Sequence, residues 1–183
     1  INAHGLYAKH DNAVTPTTIK ASDIDIKIEN TGYGVFADSE GSDIQLNNVR
    51  LMINGDKAAG LYAKNAGAIL YADRVNAEIN GYQSMGMHVP DGASARPNQS
   101  RLNVAGTDSS GVVFSASSNV MTNSMDITDS VIETQDGYAI KNWGGALDLT
   151  LNNSFITGKA QENQGGAIGI MDNGTIQSGP VTI

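Results

Sequence analysis

One short pattern constrains this chain more than any other feature: glycine, an aliphatic residue, an aromatic and a small side chain, in that order. It occurs as Gly5-Leu6-Tyr7-Ala8, Gly34-Val35-Phe36-Ala37 and Gly60-Leu61-Tyr62-Ala63, then weakens to Gly86-Met87-His88-Val89, Gly111-Val112-Val113-Phe114 and Gly137-Tyr138-Ala139-Ile140. From Gly34 onward the glycines are spaced 26, 26, 25 and 26 residues apart. A fixed period of this length marks a supersecondary unit that cannot bury its own apolar side and must stack on copies of itself.

Each period holds two further strand-like runs. After Gly34 come Asp43 to Leu46 and Val49 to Ile53, closed by the turn pair Asn54-Gly55, and the next period repeats this with Ala68 to Ala72, Val75 to Ile79 and Asn80-Gly81. Alternation assigns the faces: Val49, Leu51 and Ile53 point inward while Arg50 and Met52 point out, and Ile24, Ile26 and Ile28 alternate with Asp25 and Lys27. Leu102 with Val104, and Leu147, Leu149 and Leu151, continue the inward set. The expected fold is all-β, a right-handed parallel β-helix of six to seven coils with three short strands per coil, a rod on the order of 30 Å long. Helical repeats would need runs of ten or more residues that this Gly and Asn density breaks, and propeller blades need a longer period.

Residues 1–183 are expected to form a single unit. Because both ends fall inside the repeat, with Pro180-Val181-Thr182-Ile183 stopping in strand composition, the chain reads as a section of a longer solenoid that is capped elsewhere. A formal net charge of −8 disfavours nucleic acid and anionic membrane surfaces, which require a basic footprint. Cysteine is absent, which argues against a disulfide-stapled extracellular module.

The repeating strands, together with Leu46-Asn47-Asn48-Val49, Ile127-Thr128-Asp129-Ser130-Val131-Ile132 and Leu151-Asn152-Asn153-Ser154-Phe155-Ile156, resemble the passenger domains of Gram-negative autotransporters of the pertactin and AIDA adhesin type. The resemblance covers nearly the whole chain. It implies export, display at the outer membrane or release, and a virulence role in adhesion or self-association, with a translocator β-barrel in the full-length protein. Its implied partners are a host cell-surface protein or glycan, or another copy of the chain; a soluble effector that engages a host receptor is the alternative. The Gly-Asp-Ser-Gly motif of the family's passenger proteases is missing from the sequence; the nearest stretch is Gly106 to Gly111.

Parallel β-helices also host polysaccharide-active enzymes, whose sites gather aspartates beside a basic residue. With only Arg50, Arg74, Arg96 and Arg101 as arginines and the carboxylates spread over all coils, no enzyme activity and no cofactor is expected. Asp23 with Asp25, on one strand face, and Asp126 with Asp129 are calcium candidates, but they read better as solvated turn residues. His4, His10 and His88 are the only histidines, and His88 occupies the aromatic position of the repeat as a packing residue.

The candidate contact residues are of two kinds. Tyr7, Phe36 and Tyr62, with His88, should stack up the outside of the rod, as a recognition stripe or as a ladder that steadies coil register. Lys9, Asp38 and Lys64 should line up beside them with alternating sign. Three breaks in the repeat are expected as loops, at Asp11 to Thr18, Asp91 to Ser100 and Lys141 to Gly145, and insertions in solenoids tend to carry function. These loops nominate Arg96, Arg101 and the single tryptophan, Trp143.

Overall fold

The computed structural model describes residues 3–10, 15–118, 121–159, 166–171 and 178–182. Every regular element among them is a β-strand, every pairing between strands is parallel, and no helix occurs among the described residues. The chain is a parallel β-solenoid of about six turns.

Face 1 holds the repeat motif, in β1 (Ala3–Lys9), β3 (Gly32–Asp38), β5 (Ala59–Lys64), β8 (Met85–Pro90), β11 (Ser110–Ser115), β14 (Tyr138–Trp143) and β17 (Gly166–Met171), each paired with the next. Two twelve-residue strands, β2 (Thr17–Ile28) and β4 (Ser42–Ile53), run along face 2 and bend onto face 3 without a break. In later coils the same path is divided. Face 2 continues as β6 (Ile69–Asp73), β9 (Ser94–Asn98), β12 (Thr122–Thr128), β15 (Gly145–Asn152) and β18 (Ser178–Thr182), and face 3 as β7 (Asn76–Ile79), β10 (Arg101–Val104), β13 (Val131–Thr134) and β16 (Phe155–Gly158).

The inward columns follow the alternation in the sequence. Val49, Leu51 and Ile53 are buried, as are Leu102, Val104, Leu147 and Leu149, and all belong to one continuous apolar core. Several of the buried serines form ladders. Ser100 Oγ accepts from the Val75 N–H at 2.9 Å, Ser130 Oγ from Ser100 N–H at 3.0 Å and Ser154 Oγ from Ser130 N–H at 3.1 Å. The same hydroxyls donate to backbone carbonyls, Ser100 to Ala72 and Ser130 to Thr128. Each serine thus satisfies a turn N–H of the preceding coil that the strand ladder leaves unpaired, which is what a buried backbone donor requires.

The bend between faces 2 and 3 is a single residue in the left-handed region, in turn Asp23, Asn48, Arg74, Gln99, Asp129 and Asn153, with φ between 44° and 56°. This explains the Asn-Asn and Thr-Asp pairs of the sequence motif, because Asn and Asp tolerate that conformation best among residues with a side chain. Asp23 therefore sits at a corner and Asp25 on face 3, so the two do not share one strand face as expected.

The repeat glycine has a different cause. Its φ is not left-handed; instead the next coil comes too close for a side chain. A Cβ on Gly34 would lie 2.6 Å from the Gly60 carbonyl oxygen and 3.1 Å from Ile53 Cδ1, and one on Gly60 would lie 2.8 Å from the Gly86 oxygen. The sixth coil departs from the expected register. Val112 pairs with Ile140, which brings Ala139 rather than Gly137 level with Gly111. Gly137 lies at the corner before face 1, at φ 137°.

Two of the three expected loops are not loops. After a tight turn at 91–93, Ser94–Asn98 is a regular face 2 strand that includes Arg96 and Pro97, and Lys141 to Trp143 complete the face 1 strand β14. The long coil is the fifth: Arg50, Asn76 and Arg101 pair in steps of one coil, but Arg101 pairs next with Val131, thirty residues on. Its extra length falls between Ser115 and Thr122. Residues 11–14, half of the first expected loop, lie outside the described residues, and Thr17 and Thr18 already belong to β2.

Candidate contact surface

Strand register puts Tyr7, Phe36, Tyr62 and His88 in one outward column of face 1. Their rings follow one another at centroid distances of 5.0, 4.6 and 4.9 Å, with Tyr62 and His88 stacked within 8° of parallel. A second column that the motif did not reveal runs beside it: His4 stacks on Tyr33 at 5.2 Å, and Tyr33 in turn meets Phe36 and Tyr62. Alternation gave no signal for it: His4 and Tyr33 lie three residues before Tyr7 and Phe36, so a period of two counts them on the opposite face, and the ladder is interrupted at Gly5 and Gly34 between them.

Stacking largely hides these rings from solvent. Phe36 and Tyr62 are each only 8% exposed, whereas Tyr7, at the end of the column, is 43% exposed. Burial, reinforced by Tyr33, Asp91 and Asp38, pushes the Tyr62 hydroxyl well above the usual phenol range. Burial also lowers the pKa of His88 to about 4, against the opposing pull of Asp91 and with a smaller push from Lys64. His88 is thus neutral at physiological pH, and its Nε2 shares a hydrogen bond of 3.0 Å with Ser115 Oγ.

Lys9, Asp38 and Lys64 are in register as expected. The Asp38 carboxylate accepts from Tyr7 Oη at 3.3 Å and from Asn65 Nδ2 at 3.0 Å, which ties the charged column to the aromatic one.

Further along face 1 the outward residues change character. In the fifth coil they are Ser110, Val113 and Ser115, between Met85 and His88 on one side and Lys141 and Trp143 on the other. Short side chains between two taller rows leave a groove of about 560 Å³. Trp143 reaches it because Asn142 is the buried residue of this pair, donating from Nδ2 to the Gly145 carbonyl at 3.2 Å. The indole is 45% exposed, and Lys141 Nζ lies 4.2 Å from its ring centroid and 5.9 Å from that of Tyr138. Burial draws the Lys141 pKa below the usual lysine value, with Asp108 acting the other way. One wall of the groove is an amide–carboxylate pair in which Gln83 Nε2 donates to Asp108 Oδ2 at 2.7 Å.

The nominated residues do not converge. Tyr7, Phe36, Tyr62 and Trp143 share face 1, Arg96 lies on face 2 and Arg101 on face 3. Arg96 is held between Tyr71, 5.5 Å from its ring centroid, and Asp126 at 3.6 Å, while Arg101 pairs with Glu133 of the next coil. Both arginines act as rungs that link neighbouring coils. Of the calcium candidates, Asp126 takes this ion pair and Asp129 accepts from Asn153 Nδ2 at 2.7 Å. Among the described residues no three of His, Cys, Asp and Glu come together as a metal site. The groove residues Gln83, Asp108 and Ser115 went unnoticed in the sequence because they come from different strands and turns and carry no spacing signal.

Comparison with known protein families, curated proteins and solved structures finds no match to this chain.

Proposed function

We propose that this solenoid is a section of an extracellular autotransporter passenger that acts through contacts made by face 1, in adhesion to a host cell surface or in association with its own copies. The observation that carries the reading is the concentration on one face of the aromatic column and of an open groove that ends at an exposed tryptophan, while the charged side chains Arg96 and Arg101 on the other faces are engaged in ion pairs. Exposed aromatic groups with a polar rim are the usual make-up of a recognition surface. Stacked coils give such a surface rigidity at no cost in loop ordering. A soluble effector that binds a host receptor would use the same face, and only the manner of its release would differ.

The test is saturable binding of the purified chain to intact host cells, with sedimentation in parallel. Binding by a monomer that weakens at least tenfold in a Tyr7→Ser, Trp143→Ser double variant supports adhesion through face 1. Concentration-dependent self-association lost in the same variant supports the homotypic form. If the variant behaves as the parent does in both assays, face 1 is not the contact surface.

A further inference from the structure

The groove across β8, β11 and β14 has the make-up of a small-ligand site more than of a protein-docking patch. Its two tall rows are two interstrand steps apart, roughly 10 Å, too narrow for a helix but wide enough for one flat ring or two. The floor is the short row of Val113 with the hydroxyls of Ser110 and Ser115. On one side stands the half-exposed Trp143 indole, with the Lys141 ammonium against it at 4.2 Å. At the turn end of the groove, where β8 and β11 begin, the Gln83–Asp108 pair offers an acceptor carboxylate already oriented by its amide neighbour, and a second hydrogen bond holds the Asp108 backbone, whose N–H donates to Asp136 Oδ2 at 3.1 Å.

A flat apolar platform facing a fixed set of donors and acceptors suits a molecule with one C–H face and a rim of hydroxyls. Aromatic faces take up the first and oriented carboxylate, amide and hydroxyl groups the second. Charge narrows the class further. The groove carries both a cation and a carboxylate, and the chain as a whole stands at −8, so a polyanion would meet repulsion that a neutral ligand avoids. We infer that this groove is a binding site for a neutral saccharide, whose ring stacks on Trp143 and whose hydroxyls are read by Asp108, Gln83 and Lys141. This deepens the contact reading of face 1 and rests on it only for the biological setting of the binding.

Trp143 is the single tryptophan, so its emission reports on the site directly. The purified chain is titrated with neutral oligosaccharides containing glucose, galactose or N-acetylhexosamine, and with sialylated and sulfated counterparts. The expected result is a saturable blue shift of Trp143 emission with at least one neutral sugar, weakened tenfold or more in Val113→Phe, which fills the groove floor, and in Asp108→Ala, which removes the hydroxyl acceptor. Val113→Phe keeps the fold testable, because Phe36 already occupies the same outward column. Its far-UV circular dichroism should match the parent, and Arg101→Gln on face 3 should bind as the parent does. The inference is overturned if no neutral sugar perturbs Trp143, if only the anionic sugars do, or if Val113→Phe binds with unchanged affinity. Host-cell binding that survives in Val113→Phe would remove the groove from the contact and leave face 1 as a whole standing; loss of both sugar and cell binding in the parent chain would sink the two readings together.

Discussion

The repeat glycine is required by its neighbour in the next coil and not by its own torsions, unlike Gly41, Gly67 and Gly92, which sit at positive φ. At Gly34 an added methyl group would collide with the Gly60 carbonyl of the next coil and with Ile53, and backbone that already pairs on both sides cannot retreat. Gly34→Ala is expected to destabilise by about 1–3 kcal/mol, read from the midpoint of chemical denaturation at constant slope. Ser100→Ala is expected to cost a similar ~1–3 kcal/mol, since it strands the Val75 and Ala72 backbone groups in the interior without adding strain. A third residue-scale expectation concerns pH. His88 has its pKa depressed from 6.5 to about 4 by burial, so below 6.5 the unfolded chain binds a proton that the folded chain refuses. The stability tied to this group is complete above pH 6.5 and falls as the pH drops toward 4, by on the order of 3 kcal/mol. Denaturation of the parent and of His88→Phe across that window should diverge by this amount; equal slopes would show that His88 titrates normally.

At the scale of elements, the unit that matters is the column across coils, more than the strand. Asn48 Nδ2 donates to Asp23 at 2.6 Å, Asn98 to Asp73 at 2.7 Å, Asn153 to Asp129 at 2.7 Å and Asn103 to Glu78 at 2.8 Å. Each joins one coil to its neighbour on the outer surface, and the rings of face 1 do the same. Tyr62 packs against Phe36, Tyr33 and His88. Truncating it to Ala should therefore cost about 3–5 kcal/mol and lower the affinity of any face 1 ligand only through disorder of the column. Thermal unfolding monitored by circular dichroism checks the first part. The same truncation at Tyr7, which is 43% exposed, should cost much less.

For the whole molecule, stability is a chain of interfaces between adjacent coils. β5, β8 and β11 pair on both sides in face 1, whereas among the described residues β1 and β17 pair on one side only. Amide hydrogen exchange should accordingly be slowest in the central coils and grade outward toward both ends of this chain, and uniform protection along the axis would contradict the nearest-neighbour picture. The repeat period, the three faces of each coil and the inward columns were legible in the sequence, because alternation and a fixed spacing are local consequences of a stacked pleat; the expected separate strands at 43–46 and 49–53 are instead one continuous strand, β4, and three strands per coil holds only from β5 onward. Register in the degraded coils was not. Ala139 replaced Gly137 as the partner of Gly111, and the extra residues expected around Arg96 and Trp143 were found between Ser115 and Thr122 instead, since a motif match cannot say where added length is absorbed. The candidate site divides in the same way. Tyr7, Phe36, Tyr62 and Trp143 could be named from the sequence, but that three of them form a column, that Arg96 and Arg101 leave that face, and that Ser110, Val113 and Ser115 open a groove beside Trp143 depended on side-chain heights in neighbouring coils. Where alternation runs unbroken, sequence alone determines which residues point outward, because that is a property of one strand; which of them meet is decided by residues some 25 positions away, and only the stacked structure brings those together.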